Sequence, residues 1–135
     1  MTKYVEEHLF SFDKAYDETV KNETIFQNSV SDLIEFSFQG GKVSVFAYGQ
    51  TGSGKTYTMI GSQKTPGIYV LAANQLFQLN RSLYQDFSVK ISYFEIYCGK
   101  LFDLLNQRCE ITPREDRNGD IRLVGLRMIE GVSTQ

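Results

Sequence analysis

Residues 43–59 read VSVFAYGQTGSGKTYTM, and no other stretch constrains the chain as strongly. A short β-branched and aromatic run, 43–48, has the character of a buried strand of a parallel sheet. It runs into Gly49, Gln50, Thr51, Gly52, Ser53, Gly54, Lys55 and Thr56, a full match to G-x-x-x-x-G-K-[ST]. Glycines let the backbone curl so that several N–H groups point into one hollow. The helix expected from about Gly54 adds free N–H groups and a dipole that favours an anion. Lys55 brings a point charge for terminal phosphates, and Thr56 a hydroxyl of the kind that ligates a phosphate-bound Mg²⁺. A Gly/Ser/Thr turn matching by accident is the bland alternative; the strand before the loop and the helix after it argue against that.

A phosphate loop does not specify a reaction. Hydrolysis also needs a carboxylate behind the Mg²⁺ and a group that positions water. Asp103 in KLFDLL has apolar neighbours, but a Gly-Lys turn leads into it rather than a long strand. Asp116 in DRNG has a switch-like D-x-x-G form in a charged setting that suits a solvated hairpin turn. Glu95 in FEIY reads as a structural hydrogen-bond acceptor. The remaining hydrolytic parts are not found among these 135 residues.

Along the chain, residues 8–16 (HLFSFDKAY) suggest a strand. From Thr24 the apolar positions Phe26, Val30, Leu33, Ile34 and Phe38 recur at helical spacing, and Gly40-Gly41 supplies the stop. Pro66 and two glycines in GSQKTPG interrupt the helix after the loop, and 68–79 resumes it. Residues 87–97 give the longest strand signal, and KLFDLL reads as a short turn or helix. Residues 110–112 and 121–129 suggest a hairpin turned by Asn118-Gly119. Ser133 or Thr134 suits the cap of a following helix. Strands alternating with helices predict an α/β fold, a P-loop NTPase-type three-layer sheet with flanking helices.

The bulk composition excludes several classes. A net charge of −2 does not suit a general nucleic-acid binder. One histidine, His8, and two cysteines, Cys98 and Cys109, give almost no material for a zinc site, a Ser-His-Asp triad or a disulfide framework. No apolar run is long enough to span a bilayer, and MTKYVEEHLF is neither a signal peptide nor a strongly Arg-rich transit peptide. The expectation is a cytosolic or nuclear protein.

FAYGQTGSGKTYTM resembles the phosphate loop of the kinesin motor family. FSFDKAYDET, TPGI, SYFEIYCGKLFDLL and VGL resemble further kinesin segments in order and spacing, so the resemblance covers essentially the whole chain. The start MTKYVEEHLFSFDKAYDET, together with the loop and YCGKLFDLL, is most similar to the internal-motor, microtubule-depolymerising subfamily. There the leader TKY neighbours an extended tubulin-probing loop, whose Lys-Val-Asp tip would lie just before Met1.

The resemblance implies ATP and Mg²⁺ as cofactors, microtubules as partner and a cytoplasmic, cytoskeletal location. Gly49 to Thr56 would hold the ATP phosphates, with Thr56 on Mg²⁺. Tyr57 would lie against the adenine ring, with simple core packing as its alternative. Arg114, Arg117 and Asn118 match a hairpin that kinesins lay on tubulin, whose acidic surface attracts arginines; an exposed hairpin of ordinary charge is the alternative. Arg122 and Arg127 would equally suit solvent. The family's Arg-x-Arg-Pro first strand, Ser-Ser-Arg switch and Asp-Leu-Ala-Gly switch have no counterpart here. The chain is thus expected to be a partial motor domain over 1–135 that hydrolyses ATP little by itself. The other readings are a non-catalytic nucleotide- or partner-binding remnant and an unrelated small P-loop kinase using Asp103.

Overall fold

The computed structural model describes residues 6–85 and 87–131. The TKY leader and the Ser133/Thr134 cap lie outside the described residues. The chain divides into two compact units, Met1–Ser82 and Leu83–Gln135.

The described helices belong to the first unit: α1 (Asn22–Ser29), α2 (Ser31–Phe38), α3 (Lys55–Met59) and α4 (Ile68–Ser82). The single helix expected from Thr24 is broken at Val30, whose φ of −126° leaves the helical region. α2 ends as the Gly40-Gly41 pair predicts. Gly40, at φ +88°, donates its N–H to the Ser37 carbonyl, and Gly41 donates to Phe36. These two bonds make a Schellman closure and satisfy carbonyls that the helix end would leave orphaned.

Phe26, Val30 and Ile68 form the buried core of this unit, with Ile25, Ile34, Met59, Leu71 and Ala72 packed around them. Fully burying one such side chain contributes about 1.5–3 kcal/mol. Met59 ties α3 into this cluster. Gln75 on α4 grips α2 twice, accepting from the Ser31 hydroxyl and donating to the Ser31 carbonyl, both at 3.0 Å.

Two expected strands of this unit do not form. Residues 8–16 and 43–48 have no ladder partner among the described residues. A strand is completed by the hydrogen bonds of its neighbours, which local sequence does not supply. Phe46 and Tyr48 stand 82% and 96% exposed.

The second unit is built of antiparallel ladders, and the hairpin expected of 110–112 and 121–129 is one of them. β1 (Lys90–Ile91) pairs with β6 (Ile129–Glu130). β2 (Phe94–Tyr97), β3 (Lys100–Asp103), β4 (Cys109–Glu115) and β5 (Ile121–Val124) follow one another in a four-stranded meander. The long strand predicted over 87–97 is therefore two shorter pieces. KLFDLL, read as a turn or helix, begins as strand β3. The physical reason is its turn: Cys98 and Gly99, both at positive φ (50° and 76°), fold Tyr97 back onto Lys100 in a two-residue hairpin.

Asp103 closes this meander. It is fully buried, and its Oδ1 accepts the Leu105 N–H at 2.8 Å while its Oδ2 accepts the Arg127 N–H at 2.7 Å. The carboxylate thus ties the end of β3 to the segment after β5.

Candidate functional site

The loop from Gly49 to Thr56 is shaped by its glycines. Gly52 and Gly54 lie at φ +82° and +89°, left-handed conformations that cost other residues roughly 1–2 kcal/mol. Gly49 meets a different constraint. A Cβ there would come within 2.4 Å of the Ser53 Oγ, because the loop crosses over its own start. A Ser53 N–H bond to the Gln50 carbonyl, 3.2 Å, closes the first turn.

α3 begins directly after Gly54. The backbone N–H groups of Gly52, Gly54, Lys55 and Thr56 have no hydrogen-bond partner among the described residues. That is the donor set an anion needs. The Lys55 ammonium bends back to donate to the Gly49 carbonyl at 2.8 Å and the Gln50 carbonyl at 2.7 Å. It has three protons, so one is left for a further acceptor. The Thr56 residue is exposed, and its hydroxyl bonds to nothing among the described residues, so it suits a Mg²⁺ ligand. Tyr57 is half exposed. Gln50 and Thr51 line the exposed outer turn.

One contributor had no signal in the sequence. Asn22, at the start of α1, is 1% exposed. Its Nδ2 donates to the Tyr57 carbonyl at 3.0 Å and to the Pro66 carbonyl at 3.2 Å. A polar residue opening a helix reads as an ordinary terminus. Only its long-range partners reveal it.

The loop joining α3 to α4 is tight. Gly61 and Pro66 form an isolated antiparallel bridge. Gly61 has φ +89°, and a Cβ there would fall 2.3 Å from the Thr65 carbonyl oxygen.

In the second unit, the β4–β5 hairpin carries the remaining predicted site residues. Asn118-Gly119 does provide the turn, in a different form from the two-residue one. Gly119 alone takes positive φ, 84°, and its N–H bonds back to the Asp116 carbonyl. Arg117, Asn118 and Gly119 make a three-residue loop. Asp116 organises it, accepting the backbone N–H groups of Asn118 and Asp120 and the Arg122 guanidinium at 2.8 Å. The Arg122 bond, then the two backbone bonds, hold the Asp116 carboxyl below its ordinary value.

Arg114 faces Arg122 directly across the ladder. Like charges so placed repel, and the pairing of Arg122 with Asp116 relieves this. Arg114 and Arg117 are exposed, with no ion pair among the described residues.

The candidate carboxylates do other work. Both oxygens of Asp103 are taken by backbone amides, as described above. Asp116 is the hairpin's own anchor. Glu95 accepts from Arg108 at 2.6 Å, the structural part expected of it. Arg108 in turn lies over the Phe102 ring at 4.7 Å. No cluster of three metal-ligating side chains occurs among the described residues, and no helix there is long and apolar enough to cross a membrane.

The kinesin motor domain family model matches residues 1–135. The chain is 43% identical over 136 residues to the mouse kinesin-like protein KIF24, a match covering 96% of this chain and 10% of that protein. It is 44% identical over 132 residues to the human kinesin-like protein KIF24, with the same coverages. The chain therefore spans about a tenth of the length of these relatives. With a family match over its whole length and a glycine-shaped loop ending in Lys55 and Thr56, the chain belongs to the kinesin motor domain family.

Proposed function

We propose that residues 1–135 are the nucleotide-binding portion of a kinesin motor that couples ATP hydrolysis to microtubule binding. Kinesin motor domains are in general ATPases that act on microtubules. The observation that carries the reading is the loop. With Gly52 and Gly54 at positive φ, the N–H groups of Gly52, Gly54, Lys55 and Thr56 have no partner among the described residues and lie in the same loop as the Lys55 ammonium. In this reading the amides of 49–56 cradle the phosphates and Lys55 moves from its two carbonyls to the terminal ones. The Thr56 hydroxyl would hold Mg²⁺, which would supply positive charge against that of the phosphates. Tyr57 stacks on adenine.

The fold proposed for the complete domain is the three-layer P-loop type, in which 43–48 becomes a sheet strand. Arg114, Arg117 and Asn118 would meet the acidic tubulin surface, placing the motor on the cytoplasmic microtubule cytoskeleton. We assign it to microtubule depolymerisation on the similarity of MTKYVEEHLF and YCGKLFDLL to the internal-motor subfamily. Residues 1–135 alone are expected to hydrolyse ATP little, since they contain neither switch sequence. Family membership replaces the reading as an unrelated small kinase, and the engaged oxygens of Asp103 remove that reading's Mg²⁺ carboxylate.

The test is calorimetric titration of the chain with Mg·ATP. Wild type should bind, and Lys55→Ala should lose at least tenfold in affinity, the scale of a charge-assisted phosphate contact. Equal binding by both would sink the assignment.

A further inference from the structure

α3 is only five residues long, too short to hold its shape without tertiary support. Its C-terminal carbonyls are unevenly served. The Thr56 carbonyl receives two donors, from Ile60 at 2.8 Å and Gly61 at 3.2 Å. Gly61 is the residue that would bond to Tyr57 in a continuing helix, and it is diverted to Thr56 by the tight turn. The Tyr57 carbonyl is left to the side chain of Asn22, 35 residues earlier.

The second proton of the same amide goes to Pro66, just before α4 begins. One buried NH₂ group therefore ties both α3 and the end of the turn that follows it to the start of α1. Two carbonyl acceptors demand a two-proton donor at this place. A carboxylate offers none, and a serine hydroxyl offers one.

We propose that Asn22 is a positioning residue for the nucleotide site. By holding the Tyr57 carbonyl it fixes the rotation of α3 about its axis. That rotation sets the directions in which the Thr56 hydroxyl and the Tyr57 ring project. The inference rests on the reading of Gly49 to Tyr57 as an ATP site. It adds a determinant of base recognition that does not itself touch the nucleotide. The phosphates also meet the amides of Gly52 and Gly54 and the Lys55 ammonium, which do not turn with α3, whereas the adenine depends on the Tyr57 direction alone. Loss of the clamp should therefore weaken ATP binding more than binding of inorganic tripolyphosphate.

The experiment is competition of ATP and of tripolyphosphate, each with Mg²⁺, against a ribose-labelled fluorescent ATP. It is run on the wild-type chain, Asn22→Asp, Asn22→Ser and Phe77→Leu. Phe77 is a buried α4 side chain outside the core cluster that holds Met59, so its variant matches a loss of stability without touching the clamp. The Asn22 variants should lose about tenfold in ATP affinity, as the Thr56 hydroxyl and the Tyr57 ring lose their fixed directions. They should also narrow the preference for ATP over tripolyphosphate, while Phe77→Leu keeps both values. Should Asn22→Asp fail to fold, Asn22→Ser, with one donor retained, carries the comparison. Asn22 variants that bind like Phe77→Leu at equal thermal midpoint would overturn the proposal and leave the ATP site standing. A wild-type chain that binds neither ligand would overturn both.

Discussion

The Lys55 ammonium donates to the Gly49 carbonyl at 2.8 Å, so the phosphate loop is closed by the side chain at its far end. The same nitrogen reaches Gln50 at 2.7 Å. Two neutral carbonyls are weaker partners for an ammonium than a phosphate oxygen is, because the phosphate adds a full opposite charge to the same hydrogen bond. The contact holds the loop in shape around the lysine, and a triphosphate offers that lysine a better partner in the same place.

Left-handed glycines make the loop sensitive to a single methyl group. A Cβ on Gly54 would meet nothing within 4 Å, so Gly54→Ala tests conformation alone. At φ +89° an alanine costs roughly 1–2 kcal/mol; the exposed free loop can relax to avoid it, so the cost returns on binding, and ATP affinity should fall about tenfold with little change in thermal midpoint. Gly61→Ala adds a clash at 2.3 Å with the Thr65 carbonyl and should lower the midpoint as well. Paired calorimetric and thermal measurements separate the two; equal behaviour would count against the loop geometry.

Asp103 offers a clean division between structure and chemistry. Asp103→Asn keeps one acceptor but turns an NH₂ towards a backbone N–H. A loss of about 1–3 kcal/mol is expected from one buried donor left unsatisfied. Denaturant unfolding should register that loss while ATP affinity of the folded protein stays at the wild-type value. A selective loss of Mg²⁺-dependent binding would instead return Asp103 to the nucleotide site.

Asp116 makes the hairpin pH-dependent. Its carboxyl titrates lower in the folded protein than unfolded, chiefly through Arg122. Its contribution is thus complete above the ordinary carboxylate value and is lost as pH falls through the lower, folded value. Amide exchange at Gly119, which bonds to the Asp116 carbonyl, should quicken over that acidic window after correction for intrinsic rates. Asp116→Asn should abolish the dependence; a hairpin with the same acid profile in the variant would show that another group is responsible.

Arg114 and Arg117 make no ion pair among the described residues, whereas Arg122 is engaged by Asp116. In a protein carrying this domain with its microtubule-binding partner regions, Arg114→Ala with Arg117→Ala should weaken microtubule co-sedimentation several-fold at low salt. The deficit should shrink as salt screens the wild type. ATP affinity should not move. A salt-independent deficit would mean that the arginines act through hairpin folding.

The parts legible in the sequence were those fixed locally. The GQTGSGKT loop needs specific backbone angles, and glycines announce them. The Gly40-Gly41 stop and the turn at Gly119 follow the same logic, and α4 appeared because its apolar positions recur along one face. What escaped depends on distant partners. Residues 43–48 have strand composition but no ladder among the described residues. Lys100–Asp103 became a strand because Cys98-Gly99 folds it onto β2. The Asn22 clamp joins residues 35 and 44 positions apart, a pairing that no local pattern encodes.

The central claim is that the loop amides hold the phosphates of ATP, and backbone amide NMR reads them directly. On titration with Mg·ATP, the resonances of Gly52, Gly54, Lys55 and Thr56 should shift most, saturating together with the calorimetric binding curve. If those four stay in place while ATP binds, with shifts confined to other residues, the phosphates lie elsewhere and the account of this site is wrong.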